Sequence, residues 1–350
     1  MKTILEVLTA GASFLERKGV ESPRLNMEHL LAHALGMRRM DLYRQFDRPV
    51  SESELAPLRE WTTRRASGEP LQHLLGTVEF HRFSFRSDGR ALIPRPETEE
   101  LVEKIIARRR KNPPHWILDM GCGSGVIGLS LAAMFSDAHV ILADASPTAL
   151  ELARQNATLV AEQIKAQPYE AGNSAMNTQA GAMRNPRVAE SSGPSSSDST
   201  LTPDTKPLQA PPSAAAAPDH ADLGASFLAR LTFVATDLFS VFESALEKTA
   251  FDVLAANLPY IPSGEIAGLS REVRCDPMEA LDGGDSGLEL IERFIVSARH
   301  HCAPGALVAL EHGPEQGEGI ARLLRTSGFE QICVEPDLTG RPRFTFATAP

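Results

Sequence analysis

Apolar residues recur at helical spacing over the first part of the chain. Ile4, Leu8 and Leu15 fall on one face of a helix, because residues three, four and seven apart share a face. Ser51, followed by Glu54, is a capping-box pair that favours the start of a later helix in the same region. The pattern predicts a small helical module over residues 1–75.

The pattern changes to strict alternation after Gly76. Val78, Phe80, Phe83 and Phe85 alternate with polar neighbours, which is typical of strands that bury one face. We therefore expect a hairpin linker over residues 76–90.

From residue 91 to residue 350, short apolar runs alternate with helical stretches. The predicted strands are Trp116–Met120, Val140–Asp144, Leu231–Ala235, Phe251–Asn257 and Gly305–Glu311. Such alternation is typical of an α/β fold, in which a parallel sheet carries helices on both faces. The sequence therefore predicts a Rossmann-like domain after the helical module.

One stretch interrupts this domain. Residues 161–227 are rich in Ala, Ser, Pro, Asn and Gln and show almost no apolar periodicity. A segment of this kind buries too little apolar surface to offset the entropy lost on ordering. We expect a disordered surface insert, since a long loop between two elements costs little stability.

Composition narrows the class of protein. The chain has 350 residues and a net charge of −10, which disfavours extended contact with nucleic-acid phosphates. Its four cysteines form no Cys-x-x-Cys pair and its ten histidines form no ligand cluster, so we expect reduced thiols and no metal. No uncharged run is long enough to span a membrane. We expect a cytoplasmic monomer.

A glycine-rich turn follows the first predicted strand of the α/β domain. It consists of Gly121, Cys122, Gly123, Ser124 and Gly125. Glycines at such a turn let a nucleoside cofactor approach the backbone N–H groups at the start of a helix. Cys122 is expected to fill space in this turn rather than to act as a nucleophile. The turn alone also matches the dinucleotide fingerprint, which leaves an NAD-dependent dehydrogenase open.

Acidic residues at three strand ends favour a different cofactor. Asp119 immediately precedes the turn and would repel a pyrophosphate, but suits the ammonium and sulfonium groups of S-adenosylmethionine. Asp144 is predicted to accept the ribose hydroxyls, and Asp237, with Leu238 beside it, to meet the adenine. Either of the last two can instead cap a helix, but the set together favours the methyl donor.

The segment Asn257, Leu258, Pro259 and Tyr260 ends a buried apolar run. It places an amide, two carbonyls and an aromatic ring at a strand tip, which suits the binding of a planar amide or amine. A plain turn is the alternative interpretation, because Asn and Pro both favour turns. Next to a cofactor loop, the segment predicts methyl transfer to nitrogen, with Asn257 contacting both cofactor and acceptor.

Several segments together resemble the protein-glutamine N5-methyltransferases of the HemK/PrmC family. They are Leu74–Gly76, Glu79–Phe80, Ala91–Val102 with its Ile-Pro-Arg-Pro-Glu-Thr-Glu run, the glycine turn, Asn257–Tyr260 and Glu279–Gly287. The resemblance covers nearly all the chain except the insert. It implies a class I methyltransferase domain that transfers methyl from S-adenosylmethionine to the glutamine of a Gly-Gly-Gln motif in class 1 peptide-chain release factors.

The tetrapeptide departs from the family at one position. The family usually has Asn-Pro-Pro-Tyr, whereas this chain has Leu258 in place of the first proline. Leucine keeps the backbone carbonyl expected to accept an amide N–H, but it loses the fixed φ of proline. Ribosomal RNA adenine N6-dimethyltransferases also carry Asn-Leu-Pro-Tyr, so an RNA adenine methyltransferase is the alternative enzyme. A non-catalytic adaptor is the third interpretation, disfavoured because all the expected ligand positions are present.

Overall fold

The computed structural model describes residues 2–166, 220–244 and 250–350. Its first helices are α1 (Ile4–Arg17), α2 (Pro23–Ala34), α3 (Arg39–Leu42), α4 (Glu52–Ala66) and α5 (Leu71–Leu75). The predicted capping box is present: the side chain of Ser51 accepts from the Glu54 N–H, and Glu54 accepts from the Ser51 N–H at 2.7 Å. These helices enclose a core of their own.

A hairpin follows, as predicted. Strands β1 (Thr77–Phe80) and β2 (Phe83–Arg86) pair antiparallel. Phe80 and Phe85 are buried and join the core on one face of the main sheet, so the hairpin packs against the α/β domain.

The α/β domain contains one seven-stranded sheet. Its elements are α6 (Pro96–Arg109), β3 (Trp116–Met120), α7 (Val126–Met134), β4 (His139–Asp144), α8 (Pro147–Ala166), α9 (His220–Ala229), β5 (Leu231–Ala235), α10 (Ser240–Ser244), β6 (Phe251–Ala256), three 3-10 turns (Ser263–Gly268, Val273–Cys275 and Met278–Ala280), α11 (Glu289–Ala298), β7 (Cys302–Glu311), α12 (Gly317–Thr326), β8 (Glu330–Pro336) and β9 (Pro342–Thr348).

The strand order is β5-β4-β3-β6-β7-β9-β8, and separate hydrophobic clusters cover the two faces. Met120 is in register with Ala143 and with Ala256, while Asp144 is in register with Ala235. The residues that follow β3, β4, β5 and β6 therefore emerge together at one edge of the sheet, where parallel α/β sheets bind ligands.

The five predicted strands pair in parallel with one another, as expected, and the sheet continues beyond them with two antiparallel strands, β9 and β8. Strand β9 runs antiparallel to both β7 and β8. Only five residues, 337–341, connect β8 to β9, whereas a parallel connection needs a crossover of a dozen or more residues. The short turn therefore forces an antiparallel pair.

The predicted insert, residues 161–227, includes residues at both ends that the structure places in helices. Helix α8 continues to Ala166 and α9 begins at His220. Ala161 and Phe227, the two ends of the predicted insert, are both buried in the core. The composition of residues 161–166 and 220–227 did not predict these two short helical segments, which pack on the sheet. Residues 167–219, the rest of the predicted insert, lie outside the described residues.

No helix among the described residues is both long and apolar enough to cross a membrane.

Candidate active site at the edge of the sheet

A cavity of about 560 Å³ lies at the edge where β3, β4, β5 and β6 end. Ten of the predicted site residues line it: Gly121, Cys122, Gly123, Ser124, Asp144, Asp237, Leu238, Asn257, Leu258 and Pro259. Asp119, Gly125 and Tyr260 do not. The structure thus brings together residues that are up to 138 positions apart in the chain, from Gly121 to Pro259.

The glycine turn has the backbone shape that its composition predicts. Gly121, Gly123 and Gly125 all have φ in the left-handed region, at 69°, 54° and 85°, which favours glycine. A Cβ on Gly125 would lie 3.1 to 3.2 Å from Leu129, Ala153 and Leu142. The absence of a side chain at Gly125 therefore lets the turn pack closely against the core behind the cavity.

Cys122 is buried within this turn. Burial raises the pKa of its thiol well above the ordinary value, with Asp119 and Asp144 adding to the shift. The thiol is therefore protonated at neutral pH, and a protonated thiol is a poor nucleophile.

Asp119 lies beneath the turn, fully buried. Its Oδ2 accepts from the Gly128 N–H at 2.8 Å, while its Oδ1 has no hydrogen-bond partner. Burial raises the pKa of Asp119 to about 7, against the effect of the Gly128 hydrogen bond. Asp119 does not line the cavity; the structure places it one layer deeper, below the glycine turn.

Asp144 reaches the cavity from the end of β4. Its Oδ2 accepts from the Gly123 N–H and its Oδ1 from the Ser146 N–H, both at 2.8 Å. Burial raises its pKa, and these backbone hydrogen bonds oppose the shift. Each carboxylate oxygen keeps a second lone pair, so Asp144 can brace the glycine turn and still accept the hydroxyls of a ribose.

The end of β5 supplies a mixed wall. Asp237 is exposed, and its Oδ2 pairs with Arg293 at 2.7 Å. Leu238 is buried and has a φ of 49°, an uncommon conformation for a branched residue. The apolar side of this wall suits the flat face of a base.

Asn257 follows β6, and its side chain contacts Thr98 of α6. Its Nδ2 donates to Oγ1 of Thr98 at 3.1 Å, and the Thr98 hydroxyl donates to Oε2 of Glu311 at 2.8 Å. Burial raises the pKa of Glu311 to about 7, opposed by the Thr98 hydrogen bond and by Arg343. Thr98 belongs to the Pro-Glu-Thr-Glu run of the family resemblance, and nothing in the sequence pairs it with Glu311.

Tyr260 lies behind the loop. Its hydroxyl accepts from Arg343 at 3.3 Å, and its carbonyl accepts from Nε2 of Gln316 at 2.8 Å. Burial raises the pKa of Tyr260 to about 12. Tyr260 does not line the cavity, and its hydrogen bonds support the loop; contact between its ring and an acceptor amide stays a prediction.

The glycines of the Glu279–Gly287 segment pack against the same loop. A Cβ on Gly283 would lie 2.8 Å from the Pro259 carbonyl oxygen, and one on Gly287 would lie 2.4 Å from that of Tyr260. Close backbone contact of this kind requires glycine. The family resemblance includes this segment, but nothing in its sequence predicts that it packs against the loop.

Arg95 is another part of the cavity wall, and it forms an ion pair with the buried Asp276 behind it. Arg95 pairs with Oδ2 of Asp276 at 2.6 Å, and Asp276 Oδ1 accepts from the Ile93 N–H at 3.1 Å. Asp276 belongs to the segment that also carries Glu272, which pairs with Arg65 of α4. This segment therefore contacts both the cavity wall and the helical module.

Metal ligands are not grouped at the cavity. Within residues 2–166, 220–244 and 250–350, there is no cluster of three or more His, Cys, Asp or Glu side chains that could hold an ion. The polar groups of the site are hydrogen-bonding groups instead.

The sheet and the cavity at its edge define a class I S-adenosylmethionine-dependent methyltransferase domain. Residues 6–76 match the PrmC N-terminal domain, and residues 98–188 match the methyltransferase small domain. The chain belongs to the release factor glutamine methyltransferase family.

Two relatives carry that conclusion. The release factor glutamine methyltransferase of Geobacter sulfurreducens is 31% identical over 97% of this chain and 95% of its own length. The release factor glutamine methyltransferase of Nitratidesulfovibrio vulgaris is 32% identical over 99% of this chain and 95% of its own length. Among solved structures, a release-factor-specific protein-(glutamine-N5) methyltransferase from Alicyclobacillus acidocaldarius is 21% identical over 73% of this chain and 94% of its own, with a TM-score of 0.34.

Proposed function

We propose that this chain transfers the methyl group of S-adenosylmethionine to the side-chain amide nitrogen of the glutamine in the Gly-Gly-Gln motif of class 1 release factors. The observation that carries the proposal is that the glycine turn and the Asn257–Pro259 segment line one cavity. A donor on the turn and an acceptor at the segment therefore meet in the same space.

The donor side fits a cationic nucleoside. Asp144 offers lone pairs to ribose hydroxyls, and Leu238 offers an apolar surface to a base. The unpartnered Oδ1 of Asp119 lies beneath the turn, and the ionised form of this carboxyl favours a positively charged ligand over a pyrophosphate. S-adenosylmethionine supplies a methyl group bound to a positively charged sulfur.

On the acceptor side, the residues of the chain orient an amide. The side-chain oxygen of Asn257 and the carbonyl of Leu258 accept the two N–H bonds of the glutamine amide, which holds its nitrogen toward the methyl group. As the nitrogen gains the methyl group it loses one N–H proton, and the electrons of the broken sulfur–methyl bond stay on the neutral sulfur of the demethylated donor. Catalysis then rests on orientation and on fixed dipoles. The phenol of Tyr260, whose pKa burial raises to about 12, stays protonated and supports the loop rather than acting as a base. Pro259 stiffens the same loop.

The helical module that precedes the methyltransferase domain supports a protein as the substrate. We infer that residues 1–75 recognise the release factor, that residues 76–90 link, and that residues 91–350 carry the chemistry. The acidic net charge of −10 favours a protein partner over direct contact with nucleic acid. We infer that the enzyme acts in translation termination as a cytoplasmic monomer.

Mass spectrometry of a release factor, after incubation with the enzyme and isotope-labelled donor, tests the proposal. We expect one labelled methyl group on the Gly-Gly-Gln glutamine. A release factor with that glutamine replaced by glutamate is the matched control and should stay unlabelled. Labelled N6-methyladenine in ribosomal RNA, with no methylglutamine on the release factor, would show an RNA adenine methyltransferase instead.

A further inference from the structure

We propose that Thr98 and Glu311 are positioning residues that fix the side-chain amide of Asn257 with its oxygen facing the acceptor. This inference rests on the proposed function, because it assigns Asn257 to the acceptor amide. Neither residue is expected to touch the reacting atoms.

The three residues come from separate elements that the fold brings together. Thr98 lies in the first turn of α6, Glu311 ends β7, and Asn257 follows β6. Thr98 and Glu311 are 3% and 2% exposed. Hydrogen bonds between side chains so distant in sequence and so well buried are costly to leave unmade, so the group holds its geometry.

The count of protons sets the direction of each hydrogen bond. A threonine hydroxyl has one proton, and that of Thr98 goes to Oε2 of Glu311 at 2.8 Å. Only lone pairs of Thr98 then remain for Asn257, so the atom 3.1 Å away must be the donor Nδ2. The oxygen of Asn257, on the other arm of the amide group, consequently does not bond to Thr98 and is available to accept an N–H in the cavity.

Protonation of Glu311 would reverse the direction of both hydrogen bonds. A protonated Glu311 can donate to Thr98, which frees the Thr98 proton to be donated to the oxygen of Asn257. The amide of Asn257 would then turn its NH₂ group toward the NH₂ group of the acceptor. Two donors cannot form a hydrogen bond, so the acceptor amide would lose one of the groups that orient it.

The charged groups around Glu311 are Arg343, Glu97 and Arg95, and the phenol of Tyr260 lies near it as well. Thr98 and Arg343 favour the ionised carboxyl, whereas burial and Glu97 favour the protonated one. The balance places the switch between the two hydrogen-bond directions close to neutral pH.

Matched variants of Thr98 separate the hydrogen bond from packing. Thr98→Val keeps the shape but removes the hydroxyl, and we expect kcat on a release factor to fall about 10- to 100-fold, the scale of a misplaced orienting group. Donor affinity by calorimetry should change less than about threefold, since the main donor contacts, at the glycine turn and Asp144, lie elsewhere in the cavity. Thr98→Ser keeps the hydroxyl and should restore kcat to within about threefold of wild type.

Glu311→Gln adds a readout that packing cannot move. An amide at this position can still accept from Thr98, but it does not titrate. We expect wild-type kcat to fall as the pH drops below about 7, and we expect that acidic limb to be absent in Glu311→Gln. Equal kcat in Thr98→Val and Thr98→Ser, or an unchanged acidic limb in Glu311→Gln, overturns the proposal.

A measurement independent of activity keeps the two proposals apart. The ¹⁵N side-chain amide resonance of Asn257, assigned by its disappearance in Asn257→Ala, should show a slowly exchanging proton in wild type and Thr98→Ser. That proton should exchange faster in Thr98→Val, and no difference between the variants refutes the positioning role. Absence of any methylglutamine with wild-type enzyme would instead refute the proposed function, whatever the NMR result.

Discussion

Replacement of Gly287 by alanine should loosen the acceptor loop, and the size of the effect follows from the contacts. Gly287 has a φ of 77°, so an added Cβ costs about 1 kcal/mol in backbone strain. That Cβ would also lie 2.4 Å from the Tyr260 carbonyl oxygen and 2.8 Å from Nε2 of Gln316. Nε2 donates to the carbonyls of Tyr260 and Gly287 at 2.8 and 3.2 Å, and the loss of both bonds costs about 2 kcal/mol. The total is about 3 kcal/mol.

Gly305 provides the matched control. Its φ is 73°, and a Cβ added there would meet nothing within 4 Å. Gly305→Ala should therefore show the backbone strain alone, about 1 kcal/mol. The difference of about 2 kcal/mol between the two variants isolates the contacts with the loop.

Urea unfolding of both variants measures the stability difference, and steady-state kinetics on a release factor measures its consequence. Gly287→Ala should lower kcat while donor affinity stays within a few fold, because the displaced loop carries Asn257. Gly305→Ala should leave kcat unchanged. Equal loss of stability in the two variants, or full kcat in a destabilised Gly287→Ala, would falsify the assignment of Gly287 as a support of the acceptor loop.

Four further outcomes follow. Asp144→Ala should raise the donor Kd at least about tenfold by calorimetry, because it removes hydrogen-bond acceptors from both ligand and turn; unchanged affinity contradicts its role. Burial raises the pKa of Asp119 from 3.8 to about 7, so the fold favours its protonated form and stability should fall as the pH rises from about 4 to about 7. Asp119→Asn should reduce that fall in a series of thermal melts, and an identical pH dependence speaks against it. Deletion of residues 167–219 with a short Gly/Ser linker should preserve cooperative melting and donor binding, whereas deletion of 161–227 should not, since its ends are buried. Leu258→Pro should keep or raise kcat if only its carbonyl matters; a large loss would show that the side chain, which packs against Gly121, is needed.

The parts of the site that are local in sequence were predictable. The glycine turn, Asp144 and the Asn257–Pro259 segment each follow a buried strand directly, and the ends of parallel strands meet at one edge. Three such features in the right order were enough to predict the cavity and the kind of ligand that it holds.

The sequence did not predict how deeply a site residue is buried or which residues far apart in the chain contact each other. A strand-ending carboxylate can face a cavity or lie beneath it, and no local pattern told which applied to Asp119. Thr98 and Glu311 are separated by 213 positions and meet only because α6 packs beside β7. The true ends of α8 and α9 likewise depend on packing, which overrides the local composition, whereas the antiparallel direction of β9 follows from the short turn of residues 337–341.

The short turn from Val273 to Cys275, with its flanking acids, has a consequence for how the two ligands communicate. Glu272 pairs with Arg65 of the helical module, and Asp276 pairs with Arg95 of the cavity wall. A single turn of chain thus connects the part of the enzyme that we assign to the release factor with the part that encloses the donor. Thermodynamic linkage makes any resulting effect mutual: the factor by which the donor tightens the release factor is the factor by which the release factor tightens the donor.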